Sequence, residues 1–60
     1  MKKKILVVDD DASIVKLLTR GLEKRGKSTV RGVTDPRQAV PVAREFLPDL
    51  AILDIDKLCP

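Results

Sequence analysis

The side chains best equipped for chemistry in this chain are aspartates, and they stand at the ends of two apolar runs. Ile5-Leu6-Val7-Val8 leads into Asp9-Asp10-Asp11, and Leu50-Ala51-Ile52-Leu53 leads into Asp54. Ionised carboxylates repel one another, so clustering them is useful mainly where a cation or a proton-transfer task compensates. A hard divalent cation such as Mg²⁺ suits an oxygen-only site of this kind, keeping waters while using one or two carboxylates. A carboxylate neutralised in that way could attack a phosphoryl group and form an acyl phosphate. With no histidine and Cys59 as the single cysteine, a thiolate–imidazole zinc site is not expected and an intramolecular disulfide is impossible.

The elements that must position these acids follow from hydrophobic patterning. The run from Lys4 to Val8 is apolar without alternation, the pattern of a strand covered on both faces in a parallel sheet, so the first strand is expected over 4–8. A helix is expected over 12–25, capped by Asp11 and stopped at Gly26 after Lys24-Arg25. Ile14, Leu18 and Leu22 recur every four residues, flanked by Val15 and Leu17, and predict one broad inward face. The segment 28–33 is β-branched at Thr29 and Val30 but interrupted by Arg31 and Gly32, which predicts a weak or edge strand. Asp35-Pro36-Arg37-Gln38 is a helix start, and the second helix is expected over 36–46 with Ala39, Val42, Ala43 and Phe46 inward. Pro41 falls inside that span, where it predicts a kink or a shortened helix. Pro48-Asp49 ends it, and a third strand is expected over 50–54.

Strand, helix, strand, helix, strand with short connections and right-handed crossovers predicts an α/β fold with a three-stranded parallel sheet. Crossovers running the same way would give order 1-2-3; a reversal would give 2-1-3 with helices on opposite faces. The all-apolar first strand favours the centre and the polar second strand an edge, so 2-1-3 is expected. Strands one and three are then neighbours about 4.8 Å apart at the point where strand order reverses, and Asp9, Asp10 and Asp54 converge in one crevice.

Composition narrows the function classes. A 60-residue chain is one domain at most, and a domain of that size buries only about 60% of the surface its unfolded chain exposes, so partners are expected. The net charge is +3, but the twelve Lys and Arg are scattered, and the run Lys2-Lys3-Lys4 reads as a solvated strand entry. With Phe46 the single aromatic residue, there is no stacking platform for single-stranded nucleic acid. The apolar run after the lysines is too short for a signal-peptide core or a membrane span, and a soluble cytoplasmic protein is expected.

Ile5-Leu6-Val7-Val8-Asp9-Asp10-Asp11 and Pro48-Asp49-Leu50-Ala51-Ile52-Leu53-Asp54-Ile55 resemble the first and third strands of the receiver domain of two-component response regulators. The resemblance spans roughly residues 3 to 55, as the amino-terminal βαβαβ half of the flavodoxin-like receiver fold. It implies that Asp54 is the phospho-acceptor, that Asp10 is a Mg²⁺ ligand, that Asp9 supports the metal through water, and that the backbone carbonyl of Asp56 adds a further contact. It implies a sensor histidine kinase or phosphotransfer protein as partner, and no enzymatic activity beyond self-phosphorylation from a phosphodonor.

The chain also departs from the receiver pattern. Receivers usually place proline four residues after the acceptor, whereas Leu58 stands there and the proline is Pro60. A receiver continues through two further strands carrying a Thr or Ser and a Lys that contact the phosphoryl group, and these are expected to be missing here. Strand three then becomes an open edge inviting another chain, and a homodimer or exchanged oligomer is expected. Two other readings compete. Asp54-Ile55-Asp56-Lys57-Leu58 resembles the nucleophile motif of haloacid-dehalogenase-type phosphohydrolases, with Asp54 as nucleophile and Asp56 as acid/base. Alternatively, the chain is a non-catalytic assembly module pairing through its open strand edge.

Overall fold

The computed structural model describes residues 2–24 and 26–53. In chain order it contains β1 (Lys3–Val8), α1 (Ala12–Glu23), β2 (Ser28–Val33), a 3₁₀ turn (Pro36–Gln38), α2 (Ala39–Phe46) and β3 (Leu50–Leu53). The strands form one parallel sheet in the order β2-β1-β3. The central strand is the one that carries a run of four buried apolar residues, Ile5, Leu6, Val7 and Val8.

Alternation along β1 divides the core into two layers. Ile5 and Val7 pack with Val15 of α1, joined by Leu18, Leu22, Val30 and Ile52. Leu6 and Val8 pack with Val33, joined by Ala39, Val42 and Ala43 of α2. The helices therefore cover opposite faces, as a reversal of crossover direction at β1 requires. In α2 the inner face is the expected one, and Phe46 is buried with it. In α1 it is so in part: Val15, Leu18 and Leu22 pack inward, while Ile14 is exposed and Leu17 is 71% accessible. Five large apolar residues, Ile14, Val15, Leu17, Leu18 and Leu22, make a stripe wider than one face can bury, and only the position of the sheet chooses among them.

The helix ends follow local chemistry. The Asp11 carboxylate caps α1 by accepting from the Ser13 N–H, and Gly26 adopts a positive φ of 71° just beyond the helix, the left-handed turn that ends helices. Asp35 caps the 3₁₀ turn through the Arg37 N–H. That turn takes up the first residues of the span expected as helix, so α2 is only eight residues long. Pro41 consequently stands in its first turn, where backbone N–H groups have no intrahelical acceptor, and its missing donor breaks no bond. Leu47, at φ 53°, terminates α2 in the left-handed region.

Gly32 has a specific task. A Cβ built there would collide with Val15 Cγ1, so the absent side chain lets α1 settle directly on β2. The glycine that made this segment read as a weak strand is what permits its covering.

Candidate functional site at the acidic strand ends

The parallel ladder between β1 and β3 runs Ile5↔Leu50, Leu6↔Ala51, Val7↔Ile52 and Val8↔Leu53. The partner ladder on the other side ends with Val8↔Val33. The central strand thus reaches its carboxyl end level with both neighbours, and the next residue is Asp9.

Asp9 is held from two directions. Its N–H donates to the Val33 carbonyl at 3.1 Å, extending the β1–β2 ladder by one bond. Its Oδ1 accepts from the Asp11 N–H at 3.0 Å, a side-chain-closed turn that releases the chain from the sheet toward α1. Asp9 is only 9% accessible. Asp11 Oδ1 accepts from the Ser13 N–H at 2.9 Å, so this carboxylate is a helix cap, as expected. Asp10, between them, is exposed at the carboxyl end of the sheet. The three consecutive acids have separated into a buried turn-former, an exposed carboxylate and a cap.

Asp54 and Asp56, expected as phospho-acceptor and backbone-carbonyl ligand, lie outside the described residues, as do Lys57 and Cys59. Among the described residues, no group of three or more His, Cys, Asp or Glu could hold a metal ion. Asp9 and Asp10 are the described part of the expected Mg²⁺ site. The donor set fits that ion: Mg²⁺ needs only one or two carboxylates and retains its waters, and Asp10 is exposed next to the buried, hydrogen-bonded Asp9.

Two features near the opposite end of the sheet were not foreseen. Asp49 grips the backbone of Lys4 at two points: the Asp49 N–H donates to the Lys4 carbonyl at 2.7 Å, and Asp49 Oδ2 accepts from the Lys4 N–H at 2.8 Å. Phe46 has cations from two strands at its ring, with Lys4 Nζ 5.7 Å and Arg31 Cζ 4.9 Å from the ring centroid, within the range of cation–π attraction. Lys4, read from sequence as part of a solvated run, is therefore a junction between β1, α2 and β3. A helix-breaking Pro-Asp and a lone aromatic were the available signals, but neither names its partner.

The response regulator receiver domain family model matches residues 5–56. Among curated proteins, the chain is 46% identical over 55 residues to the DNA-binding response regulator MtrA of Mycobacterium tuberculosis, covering 92% of this chain and 24% of MtrA. It is equally similar, 46% over 55 residues, to the alkaline phosphatase synthesis transcriptional regulatory protein PhoP of Bacillus subtilis, covering 92% of this chain and 22% of PhoP. The transcriptional regulatory protein YvrH of Bacillus subtilis is 37% identical over 51 residues, or 85% of this chain and 22% of YvrH. The chain spans about a quarter of the length of these curated relatives. No solved structure matches it.

Proposed function

The chain belongs to the response regulator receiver domain family of two-component signalling, and on that premise we propose that Asp54 accepts a phosphoryl group beside a Mg²⁺ site to which Asp10 and Asp9 contribute. The observation that carries this reading is the ladder register: β1 and β3 are adjacent and parallel, and Val8 pairs with Leu53, the residues that precede Asp9 and Asp54 in sequence. Ligand sites in open parallel sheets lie outside the carboxyl ends of strands where the order reverses, and here that reversal is at β1.

In the reaction, a carboxylate oxygen of Asp54 forms a bond to phosphorus while the bond to the donor's leaving group breaks, giving an aspartyl phosphate. Asp10 would ligate Mg²⁺ directly, Asp9 through water, and the Asp56 carbonyl would complete the protein's share. When bound, the ion supplies charge neutralisation for the phosphoryl oxygens and the crowded carboxylates. Asp9, its Oδ1 bonded to the Asp11 N–H, fixes the turn that presents Asp10. The role is that of a signalling domain rather than an enzyme.

The phosphodonor is a sensor histidine kinase or a phosphotransfer protein in the cytoplasm. A donor side chain approaching the acidic end must cover its rim, and the first half of α1 offers exposed apolar surface there, Ile14 and Leu17. A hollow of about 240 Å³ lined by Ser13, Lys16, Leu17 and Arg20 lies on that helix. Leu17→Glu should slow transfer from a protein donor and leave acetyl phosphate, which needs no docking, unaffected.

Intact-mass measurement after incubation with acetyl phosphate tests the site. One phosphoryl group should be gained with Mg²⁺, little without it, and little in Asp10→Asn. Equal gain with and without Mg²⁺ would refute the metal's part, and no gain in the wild type would refute phospho-acceptance.

A second reading rests on the β3 edge. Leu50 is 56% and Leu53 49% accessible, and β3 carries no charge, the features that invite edge pairing. This edge is proposed to pair two copies of the chain into a homodimer. Sedimentation showing only folded monomer at micromolar concentration would refute it.

A further inference from the structure

The strand that leads to Asp54 has no hydrophobic signal for its own register. Where one face of a strand is apolar and the other polar, a one-residue slip is penalised because it turns every side chain to the wrong face. β3 reads Leu50-Ala51-Ile52-Leu53, apolar at every position, and it is short and largely exposed, with Ile52 the residue packed against the described core. Sliding it by one residue along β1 would exchange one apolar side chain for another. Something outside the strand must fix where it ends.

We propose that Asp49 is the register pin of β3 and, through it, a positioning residue for the phospho-acceptor. Its N–H and its Oδ2 engage the carbonyl and N–H of one residue, Lys4, at 2.7 and 2.8 Å. The carboxylate acts as an additional peptide carbonyl, one step before the first ladder pair Ile5↔Leu50. A charge-assisted bond of this kind is stronger than a neutral one, and it exists in only one register, because no neighbour of Asp49 in the sequence Leu47-Pro48-Asp49-Leu50-Ala51 can supply a second acceptor side chain. Pro48 also lacks an N–H, so a slip placing it opposite Lys4 would lose both bonds. The connection entering this pin is itself constrained: Leu47 takes the left-handed conformation, and Phe46, the last residue of α2, lies under the Lys4 ammonium. The Lys4 backbone is thus gripped by the start of β3 while its side chain meets the end of α2. Asp49 precedes the strand and Asp54 follows it in the sequence, so the pin would act on the acceptor by fixing where the strand stops.

The inference rests on the phospho-acceptor reading for its functional consequence but not for its structural content, and the experiment separates the two. Interstrand NOEs and amide exchange are recorded by NMR on the wild type, Asp49→Asn and Asp49→Ala, alongside intact-mass phosphorylation by acetyl phosphate with Mg²⁺. In the wild type the Lys4 amide should exchange at least tenfold more slowly than the Lys2 amide. Asp49→Asn keeps a side-chain acceptor and should retain the Ile5–Leu50 and Val7–Ile52 contacts and a phosphorylation rate within about threefold of wild type. Asp49→Ala should lose or multiply those contacts and fall tenfold or more in rate, with α1–β2 contacts intact. Unchanged β1–β3 contacts in Asp49→Ala, or a Lys4 amide exchanging as fast as that of Lys2, would overturn the proposal. If Asp49→Ala does not fold, the Lys4 exchange rate and Asp49→Asn decide it. A wild type that gains no phosphoryl group refutes the acceptor reading alone, and the NMR contacts still decide the pin.

Discussion

The two edges of this sheet are built in opposite ways. β2 pairs with β1 along six residues, Lys3↔Ser28 to Val8↔Val33, carries Arg31 among its residues, and lies beneath α1 at Gly32. β3 pairs along four, has no charge, and leaves Leu50 and Leu53 half exposed. The first edge has the longer ladder and α1 packed on it; the second has a shorter ladder with a polar clamp just before its start. Packing specifies a strand along its length, whereas a clamp specifies one point. A short strand with little packing on it leaves its outer side available for a further strand or a partner.

Mutations sharpen that contrast. The largest loss is expected on the packed side: Phe46→Ala should cost about 3–5 kcal/mol in chemical denaturation, since it removes a buried aromatic together with its Lys4 and Arg31 contacts. Gly32→Val follows, at about 1–3 kcal/mol, because α1 must lift from β2 to clear Val15; a stability equal to wild type would show that α1 does not rest there. On the open side, Leu53→Lys should change monomer stability by no more than about 0.5 kcal/mol, as surface substitutions do, while abolishing self-association in sedimentation. A loss comparable to Gly32→Val would mean that β3 is as tightly packed as β2.

The smallest effect is assigned to Asp35. Arg37, first through its side-chain hydrogen bonds and then through its backbone N–H, lowers the Asp35 pKa from its ordinary value. A depressed folded-state pKa contributes stability above the unfolded-state value and loses it as pH falls through the folded-state value. Asp35→Asn should therefore lower Tm slightly at neutral pH, with the difference vanishing in acid. The pair is exposed and screened, so the effect should also shrink with added salt.

The sequence makes the sheet legible because its strongest signal, the unbroken apolar run of β1, is also its central strand. Charge and glycine in 28–33 correctly place β2 at an edge, yet the reason for Gly32 depends on where Val15 sits, which no local pattern states. Ile14 reads as a core residue by spacing and is exposed, since Val15, one residue on, takes its place beside Leu18 and Leu22. At the site, Asp9 and Asp10 are legible as acids ending a buried strand. Their division into buried turn-former and exposed carboxylate is not, because it depends on where the β1–β2 ladder ends, with the Asp9 N–H donating to the Val33 carbonyl. Asp49 is the clearest case: its partner is 45 residues away, and in sequence it resembles any residue that follows a helix-ending proline.

Asp54, which follows β3 in the sequence, is proposed to be the nucleophile of one phospho-accepting site with Asp9 and Asp10. Tandem mass spectrometry of the chain after treatment with acetyl phosphate and Mg²⁺ tests it most directly, by locating the added group. A single phosphoryl group is expected on Asp54 and lost in Asp54→Asn; a group on Asp9, Asp10 or Asp56, or undiminished incorporation in Asp54→Asn, would refute Asp54 as the nucleophile.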